Sequence, residues 1–361
     1  MRGAMGGVVV GACAAMLTWT TMAQAGPQWD ISEDSWLKLS FLGQAHFKYE
    51  EDAADAEDFY LRRGRIMLNG QVMDGIQFFM ETDNDNAGRS GTEPVATDIQ
   101  DAFADFRLVK TDLGEAWVAG GLILLPFSFE NKSSAASLLG LDYNAEAIKL
   151  VNSFVWRDYG AELHGNCGKR VSYRVGAFDG YDRYASATIE KNPAAPLRYT
   201  GHVAVNLLGQ AETGSFYTQE RLTTNNYISL GAGYDGQDRA TRTIATDPAQ
   251  PPVAQDSEAW VVDAQSGFDL GVVGLTLNGA YYDWDNGAFK GDTACAEGGV
   301  KYEKVELTGK WTLVDPDAGD ATTDYTVGLH YFFKKQNARA GVEYRWGDSD
   351  RMVLGGVQVL L

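Results

Sequence analysis

The stretch that decides the fold class is WLKLSFLGQAHFKYEEDAADAEDFYLRRGRIMLNG, residues 36–70. Between Trp36 and Tyr49, apolar side chains alternate with polar ones, which predicts a strand with one apolar and one polar face. An acidic loop follows. After it comes a second strand that carries three arginines within four positions. This alternation of strand, loop and strand continues along the chain and predicts an all-β protein.

The composition favours strands over helices. The 361 residues include 41 Gly, 17 Tyr, 16 Phe and 9 Trp but only 9 Pro, and the formal net charge is -19. After residue 25 no run of about 18 apolar residues occurs, so the sequence predicts no transmembrane helix. A transmembrane β-barrel remains open, because its strands need only about ten alternating residues each.

The first 25 residues differ from the rest. They contain one arginine, an apolar stretch and the triplet Ala23-Gln24-Ala25 before Gly26, which predicts a cleaved secretory signal at 1–25. A lipoprotein signal using Cys13 is the alternative. Residues 26–361 are then one domain, in which Cys167 and Cys295 could form a disulfide or remain two separate thiols.

Alternation and turn signals predict sixteen strands, an even number that places both chain ends on one side. Short turns such as Met73-Asp74-Gly75 alternate with long polar connections, which is typical of outer-membrane barrels. The predicted strands are 36–49, 58–72, 76–84, 98–110, 115–129, 156–165, 170–179, 198–208, 216–235, 257–270, 274–285, 294–302, 304–314, 324–333, 338–346 and 351–361.

The strand faces favour a closed barrel in a membrane over a soluble core. Several strands carry charges deep along one face, such as Glu81 and Asp83, which a packed core rarely tolerates but a water-filled lumen does. Aromatic residues near strand ends predict girdles at the membrane interfaces, or else are the ordinary aromatic residues of β-hairpins. These residues are Trp36, Tyr60, Trp117, Trp156, Tyr159, Trp260, Tyr281, Trp284, Tyr331, Tyr344 and Trp346.

Several segments resemble the phosphate-selective porin O/P family, in matching order and spacing. They are DFYLRRGRIMLNG (58–70), GGLILLPFSFEN (120–131), RDYGAELHG (157–165), YRVGAFDG (173–180) and KWTLVDPD (310–317) with VGLHYFFKKQNARAGVEYRW after it. The resemblance implies a sixteen-stranded, trimeric barrel in which the third extracellular loop, near 130–155, folds inward as a constriction.

The arginine-bearing strand matches the family strand whose basic residues line the pore. Alternation places Arg63 and Arg65 on the lumen face and Arg62 on the outer face. Two departures count against phosphate selectivity. Leu122 and Leu124 stand where relatives often have polar or basic residues, and the inward loop carries little lysine. Phosphate is therefore a possible solute that the resemblance does not imply.

The sequence predicts a passive channel in which opposed lumen charges set ion preference. The predicted pore-lining residues are Arg63, Arg65, Arg107, Arg157, Glu81, Asp83, Asp101 and Asp105. Each of them either contributes to ion preference or forms a lumen ion pair that only neutralises its neighbour. The sequence offers no catalytic residue, metal-ligand spacing or cofactor motif. The acidic loops at 83–86 and 315–320 leave calcium binding open, although neither has EF-hand spacing.

The predicted function is an outer-membrane porin of a Gram-negative bacterium, through which ions and small hydrophilic solutes diffuse. Its expected partners are membrane lipid, lipopolysaccharide and two further copies of the chain, and no nucleic acid. An enzyme is disfavoured, because no histidine has a serine two residues away on the same strand face. A structural barrel for adhesion, or a sheath around an electron carrier, is the remaining alternative.

Overall fold

A computed structural model describes residues 26–51, 53, 56–90, 96–151, 156–180, 189–210, 226–243, 252–287 and 289–361. The predicted signal segment and part of the strand predicted at 216–235 lie outside these ranges. The described strands are β1 (Gln28–Asp30), β2 (Trp36–Glu50), β3 (Glu57–Met73), β4 (Ile76–Asp83), β5 (Asp98–Thr111), β6 (Gly114–Leu124), β7 (Arg157–Cys167), β8 (Val171–Phe178), β9 (Ile189–Lys191), β10 (Arg198–Leu208), β11 (Tyr227–Thr243), β12 (Ala254–Asp269), β13 (Val273–Asp285), β14 (Lys290–Tyr302), β15 (Val305–Pro316), β16 (Thr322–Lys334), β17 (Ala338–Gly347) and β18 (Met352–Leu360).

Sixteen antiparallel strands close into a barrel, so the predicted fold class is confirmed. Within the runs β2–β8 and β10–β18, each strand pairs with the strands before and after it. The two runs are joined because β8 pairs with β10, and the barrel closes because β18 pairs with β2, with Val359 opposite Gly43. Closure pairs both edges of each of these sixteen described strands, so none of them presents an unpaired edge to hydrocarbon, which could not solvate it. Two short strands extend the sheet, since β1 pairs with β2 and β9 pairs with β11.

Two predicted strands differ from the structure by more than the few residues seen at the other strand ends. The strand predicted at 216–235 is β11, which runs from Tyr227 to Thr243. The strand predicted at 115–129 ends at Leu124, where the chain leaves the sheet and forms the four-residue helix α1 (Phe129–Lys132). Apolar alternation continues past Leu124 because the residues that follow are buried inside the barrel, so the pattern alone does not mark the strand end.

With one exception, the short connections lie at one end of the barrel and the long ones at the other. At the end that holds both chain termini, six connections have two or three residues, for example Asp74-Gly75 and Glu303-Lys304. The connection from β10 to β11 is at the same end but spans residues 209–226. No helix in the described part of the chain has the length and apolar character that membrane crossing requires.

The two faces of the sheet differ as the alternation predicts. On β2, Ser40, Gln44 and His46 are buried and face the lumen, whereas Phe41 and Tyr49 are exposed on the outer face. Part of the predicted aromatic girdle is wrong. Tyr159, Trp260, Tyr281, Tyr331, Tyr344 and Trp346 are exposed, but Tyr60, Trp117 and Trp284 are buried. Trp284 packs with residues of the connection that follows β6, which the strand pattern could not show.

The two cysteines lie in different places and are both free. Cys167 is exposed at the end of β7, and Cys295 is buried on β14. The structure therefore contains two separate thiols, which is one of the two alternatives the sequence left open.

Candidate functional site: a charged lumen crossed by one loop

The connection after β6 lies inside the barrel, and we call its residues 125–151 the inner loop. Leu125 and Phe127 are fully buried. Apolar contact holds the loop, because burial of one large aliphatic or aromatic side chain contributes about 1.5–3 kcal/mol. One cluster contains Ala119, Ile123, Leu125, Phe127, Ala147, Ile148, Leu150, Phe178, Ala259, Val261, Tyr282, Trp284 and Cys295. The other contains Leu42, Met67, Phe79, Leu124, Ala135, Ala136 and Leu360.

The second cluster explains two exceptions in the sequence. Leu42 interrupts the polar face of β2, and Leu124 is one of the two leucines expected to depart from the family pattern. Both side chains pack in the cluster that contains Ala135 and Ala136 of the inner loop. These leucines therefore support the loop.

Hydrogen bonds from the barrel wall fix the backbone of the inner loop. The donors come from strands far apart around the barrel, so the loop crosses the lumen. Gln44 Nε2 donates to Ala135 O at 2.9 Å, Gln358 Nε2 to Ala136 O at 2.9 Å, Arg339 Nη1 to Leu138 O at 2.7 Å, Thr293 Oγ1 to Ala147 O at 2.6 Å and Asn286 Nδ2 to Lys149 O at 2.6 Å.

Asp142 of the inner loop binds two arginines of β3. Arg63 Nη2 lies 2.6 Å from Asp142 Oδ1, and Arg62 Nε lies 2.5 Å from Asp142 Oδ2. Burial raises the pKa of Asp142, but Arg62 and Arg63 outweigh burial and hold that pKa well below its usual range. Arg63 also donates to Gln44 Oε1 at 2.8 Å, and its guanidinium lies 5.2 Å from the Tyr143 ring centre.

The prediction that Arg62 faces outward is wrong. Gln44 of β2 pairs with Arg63, but the next residue, Ala45, pairs with Leu61, so Arg62 is the extra residue of a β-bulge. The bulge interrupts the alternation, and Arg62 joins Arg63 at Asp142 and also pairs with Asp85. Strict period-two counting across the stretch could not detect this extra residue.

Five predicted pore residues form one buried ion-pair cluster. Arg65 reaches Glu81 at 2.9 Å and Asp83 at 2.8 Å, and Arg157 reaches Asp101 at 2.9 Å and Glu81 at 3.9 Å. Each of these side chains is at most 5% exposed. The guanidinium groups that could bind an anion in the pore therefore already donate hydrogen bonds to carboxylates of the same chain.

The other predicted pore residues lie nearer the short turns. Asp105 is fully buried, and its Oδ1 lies at hydrogen-bond distance, 3.0 Å, from His164 Nε2. Arg107 pairs with Asp74 in the β3–β4 turn, and its guanidinium lies 5.4 Å from the Trp117 ring centre. The hydrogen bond from Arg107 lowers the pKa of Asp74. Arg107 is therefore held at the end of the lumen, away from the inner loop's Asp142.

Further buried charges were not among the predicted pore residues. Arg174 pairs with Glu162 at 2.8 Å, and Arg198 pairs with Asp235 at 2.7 Å. Alternation along β7, β8, β10 and β11 could have placed these four residues on the inner face. Among the described residues, thirteen Asp and Glu side chains are buried against seven Lys and Arg side chains.

His330 has a hydroxyl and a carboxylate beside it, but not in the geometry of a catalytic triad. Thr308 Oγ1 lies 3.1 Å from His330 Nε2, but Glu343 approaches the same nitrogen at 3.5 Å. A catalytic triad requires the carboxylate on the other imidazole nitrogen. Within the described ranges, no three His, Cys, Asp or Glu residues converge as metal ligands.

These features define a class of protein. A closed sixteen-stranded barrel with an apolar outer face, a charged inner face and a loop folded into its lumen is the architecture of an outer-membrane channel. The family model described as phosphate-selective porin O and P matches residues 39–248, and the chain belongs to that family. The predicted family is thus confirmed, as are the predicted porin function, passive diffusion through a channel, and the location in the outer membrane of a Gram-negative bacterium.

Solved structures share the fold at low sequence identity. The outer membrane channel DcaP of Acinetobacter baumannii has a TM-score of 0.59 and 12% identity, covering 92% of this chain and 99% of that chain. OmpF of Salmonella typhi, solved with daunomycin, has a TM-score of 0.59 and 12% identity, covering 91% and 98%. A loop-deletion mutant of OmpT from Vibrio cholerae has a TM-score of 0.58 and 13% identity, covering 91% and 100%. No curated protein sequence matches the chain.

Proposed function

We propose that this porin conducts ions and small hydrophilic solutes past the inner loop with a weak preference for cations. The observation that carries the proposal is the excess of buried carboxylates over buried basic groups inside the closed barrel. In a narrow passage with low-dielectric walls, such an excess raises the local concentration of cations and lowers that of anions. The preference is weak because most lumen arginines are paired, so opposite fields partly cancel.

Phosphate selectivity is not part of this proposal, although the family is named for it. An oxyanion site needs guanidinium or ammonium donors that are available to the solute. Here Arg62 and Arg63 donate to Asp142, and Arg65 donates to Asp83 and Glu81. A permeating phosphate would have to displace these carboxylates while passing through a negative field.

The predicted pore-lining roles belong to the same proposal. In it, Arg63, Asp142 and the inner loop form the constriction, and the cluster around Arg65 and Arg157 forms one charged wall of the passage.

The absence of catalysis is proposed as well, supported by the arrangement at His330. Cleavage of the signal segment and assembly of a trimer also remain proposals. The N-terminal sequence of the protein tests cleavage of the signal segment, and the mass of the detergent-solubilised protein tests assembly of a trimer.

A liposome-swelling assay tests the channel itself. Vesicles that contain the folded protein should admit small neutral sugars faster than larger oligosaccharides, and an organic cation faster than an anion of similar size. Empty vesicles and vesicles with heat-denatured protein are the controls. Equal rates for protein-containing and empty vesicles would overturn the proposal.

A further inference from the structure

All four histidines of the chain are buried on the inner face of the barrel. They are His46 on β2, His164 on β7, His202 on β10 and His330 on β16, and each is at most 6% exposed. Imidazole is the side chain whose charge ordinarily changes between pH 5 and pH 8. The lumen therefore holds every imidazole that the sequence contains.

His202 contacts a carboxylate that holds the inner loop. Its Nε2 lies 3.1 Å from both Oδ1 and Oδ2 of Asp263 on β12, although β11 lies between the two strands. Asp263 Oδ2 also accepts from Phe129 N of the inner loop at 2.9 Å. Gly231 of β11 makes the contact possible, because a Cβ atom there would overlap both Asp263 Oδ1 and His202 Nε2.

A second arrangement of the same kind lies on β15, β16 and β17. His330 Nε2 lies 3.1 Å from Thr308 Oγ1 and 3.5 Å from Glu343 Oε1. Glu343 Oε1 also accepts from Leu141 N of the inner loop at 2.8 Å. Gly328 leaves the space for this contact, because a Cβ atom there would lie 2.7 Å from His330 Nε2. Both histidines thus stand beside carboxylates that accept from the backbone of the inner loop.

The basic groups near His202 are engaged elsewhere. The charged groups that face it from the elements packed against it are Asp263 of β12, Arg174 of β8, Glu162 of β7, and Glu130 and Lys132 of the inner loop. Arg174 pairs with Glu162 at 2.8 Å, and Lys132 lies 3.6 Å from the same carboxylate. In the part of the chain that the structure describes, Asp263 forms no ion pair with Lys or Arg, so His202 is the group that can offset its charge.

The surroundings of His330 are similar. The charged groups that face it are Glu306 and Lys310 of β15, Glu343 and Arg339 of β17, and Asp142 of the inner loop. Lys310 donates to the carbonyl oxygen of Asp142 at 2.6 Å, and Arg339 donates to that of Leu138 at 2.7 Å. Both basic groups therefore hold the loop, and His330 lies between two carboxylates, Glu306 and Glu343.

We propose that His202 and His330 determine the ion preference of the channel as a function of pH. Each imidazole gains a proton between pH 8 and pH 5 and offsets the charge of its carboxylate, so the cation preference fades in mild acid. Asp263 and Glu343 keep their hydrogen bonds to the inner loop, because a carboxylate accepts from several donors at once. The passage therefore keeps its width while its field changes.

The size of the effect follows from the balance of charge in the lumen. Thirteen buried carboxylates face seven buried Lys and Arg side chains in the described residues, so two added positive charges offset a substantial part of the excess. Both charges lie beside the inner loop, where the passage is narrowest and fields act most strongly on ions. The inference rests on the proposed function, because the preference is read from ions that cross the lumen.

Reversal potentials in a KCl gradient at pH 7.5 and pH 5 test the proposal, because ordinary carboxyl groups, with pKa values of about 4, stay ionised over this range. The cation-to-anion permeability ratio of the wild type should fall toward one at pH 5. The double variant His202→Gln, His330→Gln keeps a neutral N–H group at each place. It should match the wild type at pH 7.5 and lose at least about half of the shift.

His164→Gln is the matched control. It removes a buried imidazole beside Asp105, nearer the short turns and without a carboxylate that contacts the inner loop, so it should keep most of the shift. A wild-type ratio that is equal at pH 7.5 and pH 5 would overturn the inference, as would a shift that His164→Gln reduces as much as the double variant does.

Proton NMR of the four imidazole rings in the detergent-solubilised wild type gives a readout that needs neither conduction nor the double variant. The signals of His202 and His330, assigned with the single glutamine variants, should move between pH 8 and pH 5. Signals that stay constant over this range would overturn the inference. A folded wild-type barrel without conductance steps at pH 7.5 would instead overturn the proposed function.

Discussion

Asp142 is the residue with the greatest expected influence on ion preference. It is the carboxylate that binds Arg62 and Arg63 together, and it belongs to the loop that crosses the lumen. A carboxylate between two guanidinium groups cancels much of their field on passing anions. The buried pair also fixes the loop, because removing one partner of such a pair leaves an uncompensated charge.

We expect Asp142→Asn to shift the channel toward anions. The amide keeps the side-chain shape, while Arg62 and Arg63 lose their negative partner and attract chloride or phosphate. The reversal potential in a KCl gradient measures the shift, and added phosphate should reduce the current of the variant more than that of the wild type. Asp105→Asn removes one lumen carboxylate without exposing two arginines, so it is the matched control and should give a smaller shift toward anions. A variant with unchanged reversal potential would contradict this role for Asp142.

The low pKa of Asp142 gives a pH dependence with a definite sign. A carboxyl group whose pKa is depressed on folding contributes stability above its unfolded pKa, about 3.9, and loses that contribution as pH falls through the folded pKa. The difference in thermal stability between the wild type and Asp142→Asn should therefore stay constant from neutral pH down to about pH 4 and shrink only in stronger acid. A difference that already disappears near neutral pH would contradict the ion-pair assignment.

Arg157 is expected to affect both stability and selectivity. Arg157→Met leaves Asp101 without its guanidinium partner at 2.9 Å and removes one of the two arginines beside Glu81. Breaking a buried pair in this way costs about 3–5 kcal/mol, and the uncompensated carboxylates should increase cation preference. Thermal unfolding in detergent and the reversal potential measure the two effects. Arg345→Met, at the other side of the barrel on β17, should lower the thermal stability much less.

At the scale of elements, the inner loop determines how much of the lumen stays open. Its backbone accepts hydrogen bonds from β2, β14, β17 and β18. At one point it also lies directly against a glycine of the barrel wall. A Cβ atom on Gly233 of β11 would lie 2.0 Å from the carbonyl oxygen of Phe127, so no larger residue fits there without moving the loop. The loop is thus positioned by the wall as well as by its own sequence.

Arg339 offers the sharpest test of the loop's attachment. It donates to Leu138 O at 2.7 Å and to Gly140 O at 3.0 Å. Arg339→Met should loosen this part of the loop and increase both the single-channel conductance and the current noise. Arg345→Met, on the same face of the same strand but without a contact to these carbonyls, is the control. Identical records for the two variants would show that Arg339 does not hold the loop.

The sequence predicts most of the barrel, because period-two alternation is a direct consequence of a sheet with lipid on one side and water on the other. It places Arg63 and Arg65 on the inner face correctly. It fails where one extra residue enters a strand, as at Arg62, and where a buried loop imitates a strand, as after Leu124. Pairings between loop and wall, such as Asp142 with Arg62, join residues far apart in sequence and leave no local pattern.

The whole molecule combines an acidic chain with a lumen whose arginines are mostly neutralised. The outer face is apolar, the inner face carries more buried carboxylates than basic groups, and the inner loop narrows the passage between them. These features together give a diffusion channel in which the remaining negative field acts on all permeating ions.

The cation preference should depend on ionic strength. Electrostatic fields in water are screened over about 10 Å at 0.1 M salt but over only about 3 Å at 1 M. We therefore expect the cation-to-anion permeability ratio to be highest in dilute KCl and to approach one in concentrated KCl. Reversal potentials measured with the same gradient at several mean concentrations check this. A ratio above one that does not change with salt would contradict a preference set by a screened field.

The central claim is that the loop-crossed barrel is an open channel with a weak cation preference. Recording from single copies of the wild-type protein in a planar bilayer under a KCl gradient tests it most directly. We predict stable conductance steps and a small reversal potential of the sign that marks cation preference. A folded barrel that inserts without conductance steps, or a reversal potential of the opposite sign, would contradict it.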